Sequence, residues 1–359
     1  MKVINLSSSL LKPGMVLFED IFNASGAVIL CKDTVLDERY IEKLALNEVE
    51  KVKIRLSENN GLFAAKENEN IKSIYDKKKI YEFREKYIGK VDEVTQVIKE
   101  IGRGGFVDIQ NVNQISKHII REFNTLSDVL NYLHLVRPLD DYTYSHSLNV
   151  SLMSIIIGKW LNLGEDEIDE IATAGLLHDI GKTKIADQLL RKPGKLTREE
   201  FEEIKKHTIL GYMMLENVAD ATGNIRYSIL MHHEKIDGSG YPVGALDHEI
   251  PMFPKIIAIA DIYDAMTSNR AYRDKMCPFE VIKNFEMETF GKLDTKVLTV
   301  FLKNIANTYL GDYVELNTGE IGEIVFINPN RVWQPIIKFG DEYIDLSKTN
   351  SKKYIKAIL

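Results

Sequence analysis

Histidine and aspartate side chains in the middle of the chain have the types and spacing of a metal site. His178 and Asp179 are adjacent and follow the apolar residues Leu176 and Leu177. Both side chains are good ligands for divalent metal ions, and burying either of them without a partner is unfavourable. The pair therefore predicts a metal centre whose other ligands should be recognisable elsewhere in the sequence.

Further candidate ligands lie between residues 146 and 261. Asp261 directly follows an apolar run at 256–260, where a charged side chain needs a strong reason to be. His232 and His233 are neighbours, which on a helix point about 100° apart, so they cannot chelate a single ion together. They would either line one wall of a site that holds two ions or contribute one ligand and one neighbour. The predicted metal ligands are His146, His178, Asp179, His207, His232, His233 and Asp261.

This set of donors is too large for one ordinary ion. Five imidazoles and two carboxylates suit two ions bridged by a carboxylate and a water molecule, and Asp179 is the natural bridge. Two ions roughly 3.5–4 Å apart occur in two-metal phosphoryl-transfer sites. The mixed donor set favours iron, manganese or zinc over magnesium or calcium. We expect two divalent ions, either iron or manganese. The remaining histidines have simpler interpretations, His118 and His134 as core residues and His248 in a surface turn.

Three cationic side chains are placed to hold a phosphate. Lys182 follows Asp179 by three residues and can stabilise the charge that develops on phosphate oxygens in a transition state. Arg270 and Arg273 follow the Asp261 stretch, and arginine suits bidentate contacts with a phosphate or a guanine edge. Ordinary surface salt bridges are the alternative interpretation of the two arginines.

Helices must position these ligands, because the segment 140–305 consists of apolar helical stretches separated by polar turns. Thr197 and Glu200 form a capping box at the start of one stretch. Residues 237–242 must form a loop. The predicted helices span residues 143–163, 165–178, 197–216, 224–234 and 253–268. All five candidate histidines are predicted to lie on these helices.

The outer segments predict a mainly α chain with small β-rich modules at both ends. Residues 1–57 contain short alternating strands, and a hairpin is expected at 313–326. Helices at 80–135 carry an apolar seam suited to a hairpin within the chain or to a homodimer interface. The predicted domains are a small β-rich N-terminal regulatory domain (1–57), a linker and packing helix (58–105), an all-helical catalytic domain (106–308) and a small C-terminal β module (309–359).

Composition limits the classes of partner. The 359-residue chain carries a formal net charge of −7, which argues against duplex nucleic-acid binding by a broad basic face. Cys31 and Cys277 form no disulfide framework, which is typical of a reducing compartment. Residues 1–11 do not resemble a signal peptide, and no apolar run reaches membrane-spanning length. We therefore expect a cytoplasmic protein that has no membrane contact.

The motifs of this chain resemble those of the HD-GYP family of cyclic dinucleotide phosphodiesterases. The resemblance covers about residues 106–305 and includes the order and spacing of the motifs. A histidine–aspartate pair alone would indicate only the wider superfamily of metal-dependent HD-domain phosphohydrolases, and the loop Gly240-Tyr241-Pro242 narrows the resemblance. The matching motifs are Tyr-Ser-His-Ser at 144–147, His-Asp-Ile-Gly-Lys at 178–182, Lys-His at 206–207, His-His-Glu at 232–234, Asp-Gly-Ser-Gly-Tyr-Pro at 237–242, Ala-Asp-Ile-Tyr-Asp-Ala-Met-Thr-Ser at 260–268 and Arg-Ala-Tyr-Arg at 270–273.

The resemblance implies an all-helical HD-type domain that hydrolyses cyclic di-GMP in bacterial second-messenger signalling. All seven predicted ligands match the ligand positions of the family. Lys182, Arg270 and Arg273 match its substrate-contacting positions, and Tyr241 is taken as a further substrate-binding residue. Some members hold a third ion with a glutamate four residues before the first histidine. That position is Tyr142 here, so we predict two metals rather than three.

The expected reaction is in-line hydrolysis by a water or hydroxide that bridges the two ions. Asp179 and Lys182 are the predicted catalytic residues, one fixing the ions and the other stabilising the added charge. The ring would open to linear pGpG, and a second cut would give GMP. Two alternatives are another cyclic dinucleotide substrate, such as cyclic GMP-AMP, and a non-catalytic cyclic di-GMP sensor that signals to a protein partner through the GYP loop.

Overall fold

A computed structural model divides the chain into two compact units, Met1–Lys72 and Ser73–Leu359. The residues that the structure describes are 2–7, 11, 15–22, 28–32, 34–36, 40–41, 43–44, 49, 51–56, 77–105, 108–122, 126, 129–130, 133, 142–218, 220–268, 276–348 and 352–358. The predicted fold class, mainly α with small β-rich modules at the two ends, is confirmed.

Short antiparallel strands build the N-terminal unit. They are β1 (Lys2–Ser7), β2 (Val16–Leu17), β3 (Ile21–Phe22), β4 (Val28–Leu30) and β5 (Lys51–Leu56). β5 lies between β1 and β2, with Ile4 opposite Ile54, and β3 pairs with β4. Because alternate side chains of a strand point to the same face, Val52 and Ile54 are buried while Lys51 and Lys53 are exposed. These buried residues belong to a small separate apolar core.

Helices dominate the larger unit, and every predicted metal ligand lies in one of them or in the turn directly after one. The helices are α1 (Lys77–Gly102), α2 (Ile109–Glu122), α3 (Tyr142–Trp160), α4 (Glu165–Leu177), α5 (Asp187–Leu190), α6 (Arg198–Lys205), α7 (His207–Met214), α8 (Gly223–Met231), α9 (Met252–Thr267), α10 (Pro278–Glu288) and α11 (Thr295–Asn307), with 3-10 turns at Ile180–Lys184 and Asp247–Glu249. Among the described residues, no helix combines the length and apolar character needed to cross a membrane.

The core of the larger unit surrounds α3. Residues 145–158 of this helix are all buried, which marks a helix packed on every side rather than an amphipathic surface helix. Its neighbours include α4 and α9, the two helices that carry or precede further candidate ligands. The apolar seam of α1 and α2 joins the same core. The seam is therefore buried within the chain, and a homodimer stays a prediction.

One predicted helix is divided in two. The sequence predicts a single helix over 197–216, but α6 ends at Lys205 and α7 begins at His207. The predicted capping box is present, with the Glu200 backbone N–H donating to the Thr197 hydroxyl and the Thr197 N–H donating to the Glu200 carboxylate. The break turns the start of α7 toward the interior, where His207 is buried.

A five-stranded antiparallel sheet closes the chain. Its strands are β6 (Tyr313–Leu316), β7 (Ile321–Phe326), β8 (Ile336–Phe339), β9 (Glu342–Asp345) and β10 (Ile355–Ile358), in the order β10-β6-β7-β8-β9. The predicted hairpin joins β6 to β7, and Gly319 in its turn has a φ of 87°, a conformation that favours glycine. Val314, Ile324 and Ile337 join the apolar core of the helices.

Candidate metal centre and active site

All seven predicted ligands lie around one centre, although they come from separate parts of the fold. Their positions are His146 in α3, His178 and Asp179 just past α4, His207 at the start of α7, His232 and His233 just past α8, and Asp261 in α9. The prediction that all five histidines lie within helices was wrong for His178, His232 and His233, which lie in the turns after α4 and α8.

Three of the imidazoles are fixed by the same hydrogen bond at a helix end. The last carbonyl groups of a helix have no partner within the helix. Nδ1 of His178, His207 and His232 donates to the carbonyl oxygen three residues earlier, over 2.7–2.9 Å. Because a carbonyl only accepts, Nδ1 carries the proton and Nε2 presents a lone pair. Helix termini thus set both the tautomer and the direction of these rings.

The free lone pairs meet at Asp179. Asp179 Oδ1 lies 3.3 Å from His207 Nε2 and 3.9 Å from His232 Nε2. Asp179 Oδ2 lies 3.3 Å from His178 Nε2 and 3.8 Å from His146 Nε2. Each carboxylate oxygen therefore faces a different pair of imidazoles, which is the arrangement of a carboxylate that bridges two cation sites.

Acceptor atoms packed this closely need a cation between them. The Nε2 atoms of His207 and His232 are 3.4 Å apart. Within the described part of the chain, His178 Nε2 and Asp179 Oδ1 are buried without a hydrogen-bond partner, which is unfavourable unless a metal fills the role. The donor set fits divalent metals. Two groups that share Asp179 have metal-binding geometry, one with His207, His232 and His233 and one with His146 and His178.

Asp261 is the second carboxylate that reaches both groups. Its Oδ1 lies 3.1 Å from His146 Nε2, and its Oδ2 lies 3.9 Å from His233 Nδ1. Asp261 lies in the apolar helix α9, and it shares His146 as a neighbour with Asp179. The two carboxylates together offset the charge that metal ions would bring into a buried site.

Burial sets the protonation of the cluster before metal binds. It lowers the pKa of His207 and His232, and it lowers the pKa of His233 to about 4. Burial acts in the same direction on the pKa of His146, but hydrogen bonds from its ring to two aspartates outweigh it and raise that pKa to about 9. Three imidazoles are therefore neutral and ready to coordinate at pH 7, and metal binding would displace a proton from His146.

A chain of buried hydrogen bonds connects His146 with α1. Asp264 Oδ2 lies 2.8 Å from His146 Nδ1, and Asp264 Oδ1 accepts from Asn149 Nδ2 at 2.9 Å. Asn149 Oδ1 accepts from the Tyr87 hydroxyl at 2.7 Å. Partners of this kind orient metal ligands. Asp264 was not predicted as a site residue. A second aspartate three residues after Asp261 on an apolar helix is unusual, but its contact with His146 cannot be inferred from that spacing.

A glycine allows the Asp179 turn to approach α7. A Cβ atom at Gly181 would lie 1.9 Å from the carbonyl oxygen of His207 and 2.6 Å from the backbone nitrogen of Gly211. Both distances are far inside van der Waals contact, so any side chain at Gly181 would move Asp179 away from His207.

Glu234 holds the loop that carries the Gly-Tyr-Pro motif. Its buried carboxylate accepts backbone N–H bonds from Val243, Gly244 and Ala245 at 2.7, 3.0 and 3.1 Å. The loop thereby places the Tyr241 ring 4.7 Å from the His233 ring. Burial raises the pKa of Tyr241 above its usual range, so the phenol keeps its proton and can donate a hydrogen bond.

Five of the seven candidate ligands line a cleft of about 680 Å³, a size typical of ligand sites. They are His146, His207, His232, His233 and Asp261. Lys182 and Tyr241 line the same cleft. The Lys182 ammonium donates to Asp179 Oδ2, so a cation lies directly beside the cluster. This arrangement can hold an anionic group against the metal centre.

Some predicted residues have a different outcome. Arg270 and Arg273 lie outside the described residues, as does His134. Tyr142 begins α3, and its side chain is outside the described part. The prediction of a core position for His118 was wrong, because His118 is exposed on α2. His248 is exposed in a 3-10 turn, as predicted.

Comparison with known proteins bears on the helical segment that holds the cluster. The HD domain family matches residues 139–297. A cyclic di-GMP phosphodiesterase of Pseudomonas aeruginosa is 34% identical over 227 residues, which are 63% of this chain and 54% of that protein. A cyclic di-GMP phosphodiesterase of Thermotoga maritima is 38% identical over 177 residues, 49% of this chain and 48% of that protein. The helical segment that holds the cluster is therefore similar to the HD domain family and to these two phosphodiesterases.

Another relative of this segment is named for a different substrate. A 3'3'-cGAMP-specific phosphodiesterase of Vibrio cholerae is 33% identical over 183 residues, 49% of this chain and 41% of that protein. The chain spans about half the length of the curated relatives that it matches. The structure of Bd1817, an HDG"Y"P protein from Bdellovibrio bacteriovorus, matches with a TM-score of 0.50 and 16% identity over 85% of this chain and all of that one. That likeness concerns the fold.

Proposed function

We propose that this protein is a metal-dependent phosphodiesterase of the HD-GYP family that hydrolyses cyclic di-GMP to linear pGpG, with GMP as the product of a second cut. The observation that carries the proposal is the position of Asp179, whose two oxygens face different imidazole pairs, three members of which line a cleft. The relatives named for cyclic di-GMP hydrolysis support the choice of substrate.

The proposed cofactor is a pair of divalent ions, iron or manganese. When bound, such ions lower the pKa of a coordinated water and neutralise charge on phosphate oxygens. Asp179 and the Nε2 atoms of His146 and His178 would hold one ion, and Asp179 with three further histidines would hold the other. Asp261 would be placed to contact either ion, because Oδ1 faces His146 of one group and Oδ2 faces His233 of the other.

The protein's own side chains would bind and orient the diester. The Lys182 ammonium, 29% exposed and directed at the cluster, would pair with a non-bridging phosphate oxygen and stabilise the charge that grows there. Arg270 and Arg273 are proposed to hold the rest of the substrate. Tyr241, which keeps its proton, would donate to a substrate oxygen at the cleft wall.

Turnover of cyclic di-GMP by anaerobically purified, manganese-loaded protein tests this proposal. We expect pGpG as the first product by chromatography, and we expect Asp179→Asn to reduce both product and bound metal to background. Asp341→Asn, at an exposed turn of the C-terminal sheet, is the matched control and should keep full turnover. Metal-loaded protein that forms no product would contradict the proposal and favour the sensor alternative.

Cyclic GMP-AMP is the second candidate substrate, because a relative named for its hydrolysis is nearly as similar as those named for cyclic di-GMP. The same assay with both dinucleotides distinguishes the candidates. A higher kcat/KM for cyclic GMP-AMP would replace cyclic di-GMP in the proposal and leave the chemistry unchanged.

A further inference from the structure

An aromatic and cationic corner lies at the mouth of the cleft, beyond the metal ligands. Phe201 and Lys205 are four residues apart on α6 and therefore share one face of that helix. Both line the cleft together with Tyr241. Neither residue belongs to the metal cluster, and neither was predicted as a site residue.

The three side chains touch one another. The rings of Phe201 and Tyr241 are 6.2 Å apart between centroids and cross at 78°. The Lys205 ammonium lies 4.9 Å from the Phe201 centroid and 5.3 Å from the Tyr241 centroid. Two perpendicular rings and one cation thus form a corner with an apolar wall and an ammonium edge, and the same ammonium also donates to Glu202 Oε1 at 2.8 Å.

The corner is close to the proposed reaction centre. Tyr241 contacts His233 on one side, with ring centroids 4.7 Å apart, and Phe201 on the other. Phe201 is 44% exposed, so its ring is open to a ligand. A phosphate held at the metals would bring the neighbouring part of its nucleotide to this wall.

A phosphate alone does not explain the corner, because an anion needs cations and not aromatic rings. A purine base explains both parts. Bases stack on exposed aromatic side chains irrespective of their sequence, and lysine pairs with the O6 and N7 acceptors of guanine. Adenine has an amino donor where guanine has O6, so a cation at that edge favours guanine.

We propose that Phe201 stacks on one purine base of the substrate, that the Tyr241 ring bounds this base at its edge, and that Lys205 contacts the acceptor edge of the base, which selects guanine over adenine. This inference rests on the proposed function, since the base belongs to a cyclic dinucleotide whose phosphate lies at the metal cluster. It assigns the substrate preference to α6, next to the break between α6 and α7.

Substitution of Phe201 tests the stacking role. We expect Phe201→Ala to raise the KM for cyclic di-GMP roughly tenfold, in line with the loss of one base–aromatic stack, while kcat changes less than twofold. Phe201→Trp should keep the KM close to the wild-type value, because tryptophan can also stack on a base. Phe326→Ala removes a phenylalanine that is 50% exposed on β7 and is the matched control. An unchanged KM in Phe201→Ala would overturn the stacking role.

Substitution of Lys205 tests the base preference. We expect Lys205→Gln to lower the ratio of kcat/KM for cyclic di-GMP over cyclic di-AMP roughly tenfold, which is the range for loss of one base-edge contact. Lys205→Arg should retain the preference. The control is Lys206→Gln, because the neighbouring Lys206 is 57% exposed, pairs with Glu203 and does not line the cleft. An equal loss for both dinucleotides would assign Lys205 to a phosphate and overturn the base contact.

Binding measurements separate this inference from the proposed function. Isothermal titration of the metal-loaded protein with cyclic di-GMP and with cyclic di-AMP gives dissociation constants whether or not turnover occurs. If wild type binds without hydrolysis, the proposed function fails, and the Phe201 and Lys205 variants still decide this inference through their dissociation constants. Wild type that binds neither dinucleotide would overturn the inference itself.

Discussion

At the residue scale, the site depends on how single atoms are aimed. The histidines at three helix ends use Nδ1 to satisfy a carbonyl that the helix leaves open, which frees Nε2 for a metal. Asp179 can face two imidazole pairs only because Gly181 lets its turn lie against the carbonyl of His207. A substitution that adds one carbon atom at Gly181 should therefore act on the metal centre.

Gly181→Ala is predicted to destabilise the protein and to weaken metal binding, because the added Cβ would lie 1.9 Å from a backbone oxygen. Gly89→Ala is the matched control. Gly89 lies inside α1 with open space around it, and alanine stabilises a helix interior by about 0.5–1 kcal/mol relative to glycine. Chemical denaturation of both variants measures the effects. Equal stability of Gly181→Ala and wild type would contradict the close approach of Gly181 to the His207 carbonyl.

Some residues of the site could be predicted from the sequence and others could not. The side chains of all seven predicted ligands could be located because histidine and aspartate on apolar stretches are conspicuous and their motifs are specific. The supporting residues Asp264 and Glu234 could not be assigned in this way, because their roles depend on partners 118 and 9–11 residues away in the chain. Phe201 and Lys205 look like an ordinary amphipathic helix until the Gly-Tyr-Pro loop is placed beside them.

At the element scale, helix ends and one long helix organise the centre. The period of apolar residues indicated the helices, but it did not locate their ends. A helix predicted over 197–216 is two helices, and the break is what turns His207 inward. The N-terminal helix α1 enters the site indirectly, through Tyr87, Asn149 and Asp264, to reach a metal ligand on α3.

Asp264→Asn is predicted to lower metal affinity roughly 10–100-fold, since hydrogen-bonding partners of metal ligands have effects of that size. Tyr87→Phe should act in the same direction but more weakly, because it removes one hydrogen bond two steps further from His146. Isothermal titration calorimetry with manganese measures the metal affinity of both variants. Tyr354→Phe, at an exposed tyrosine, is the control. Unchanged metal affinity in both test variants would contradict the role of this hydrogen-bond chain in orienting His146.

At the scale of the whole molecule, the metal centre and the fold should stabilise each other. The buried cluster joins α3, α7 and α9 with the turns after α4 and α8, and without metal it leaves acceptor atoms buried and unpaired within the described residues. Ligands that bind only the folded state stabilise it. Metal should therefore raise the free energy of unfolding of the larger unit.

The stability of the metal-free protein is predicted to have a maximum near pH 6.5. Burial lowers the pKa of His233 to about 4, so the unfolded chain gains a proton first and stability falls as the pH drops below about 6.5. The pKa of His146 is raised to about 9, so its contribution is present below about 6.5 and is lost as the pH rises toward 9.

Chemical denaturation of chelated protein between pH 5 and pH 9 checks this prediction. The metal-loaded protein is the control, because a coordinated His146 holds no proton and the decline above pH 6.5 should disappear. Stability that rises steadily to pH 9 without metal would contradict the assignment of the raised pKa to His146.

The central claim is a two-ion centre that hydrolyses a cyclic dinucleotide. Titration of metal-free protein with manganese(II), with cyclic di-GMP turnover followed at each step, tests it most directly. Turnover should be absent at the start, rise with added metal and reach its plateau near two ions per chain, the number expected for a two-metal phosphoryl-transfer site. A plateau at one ion, or turnover in the metal-free protein, would contradict the claim.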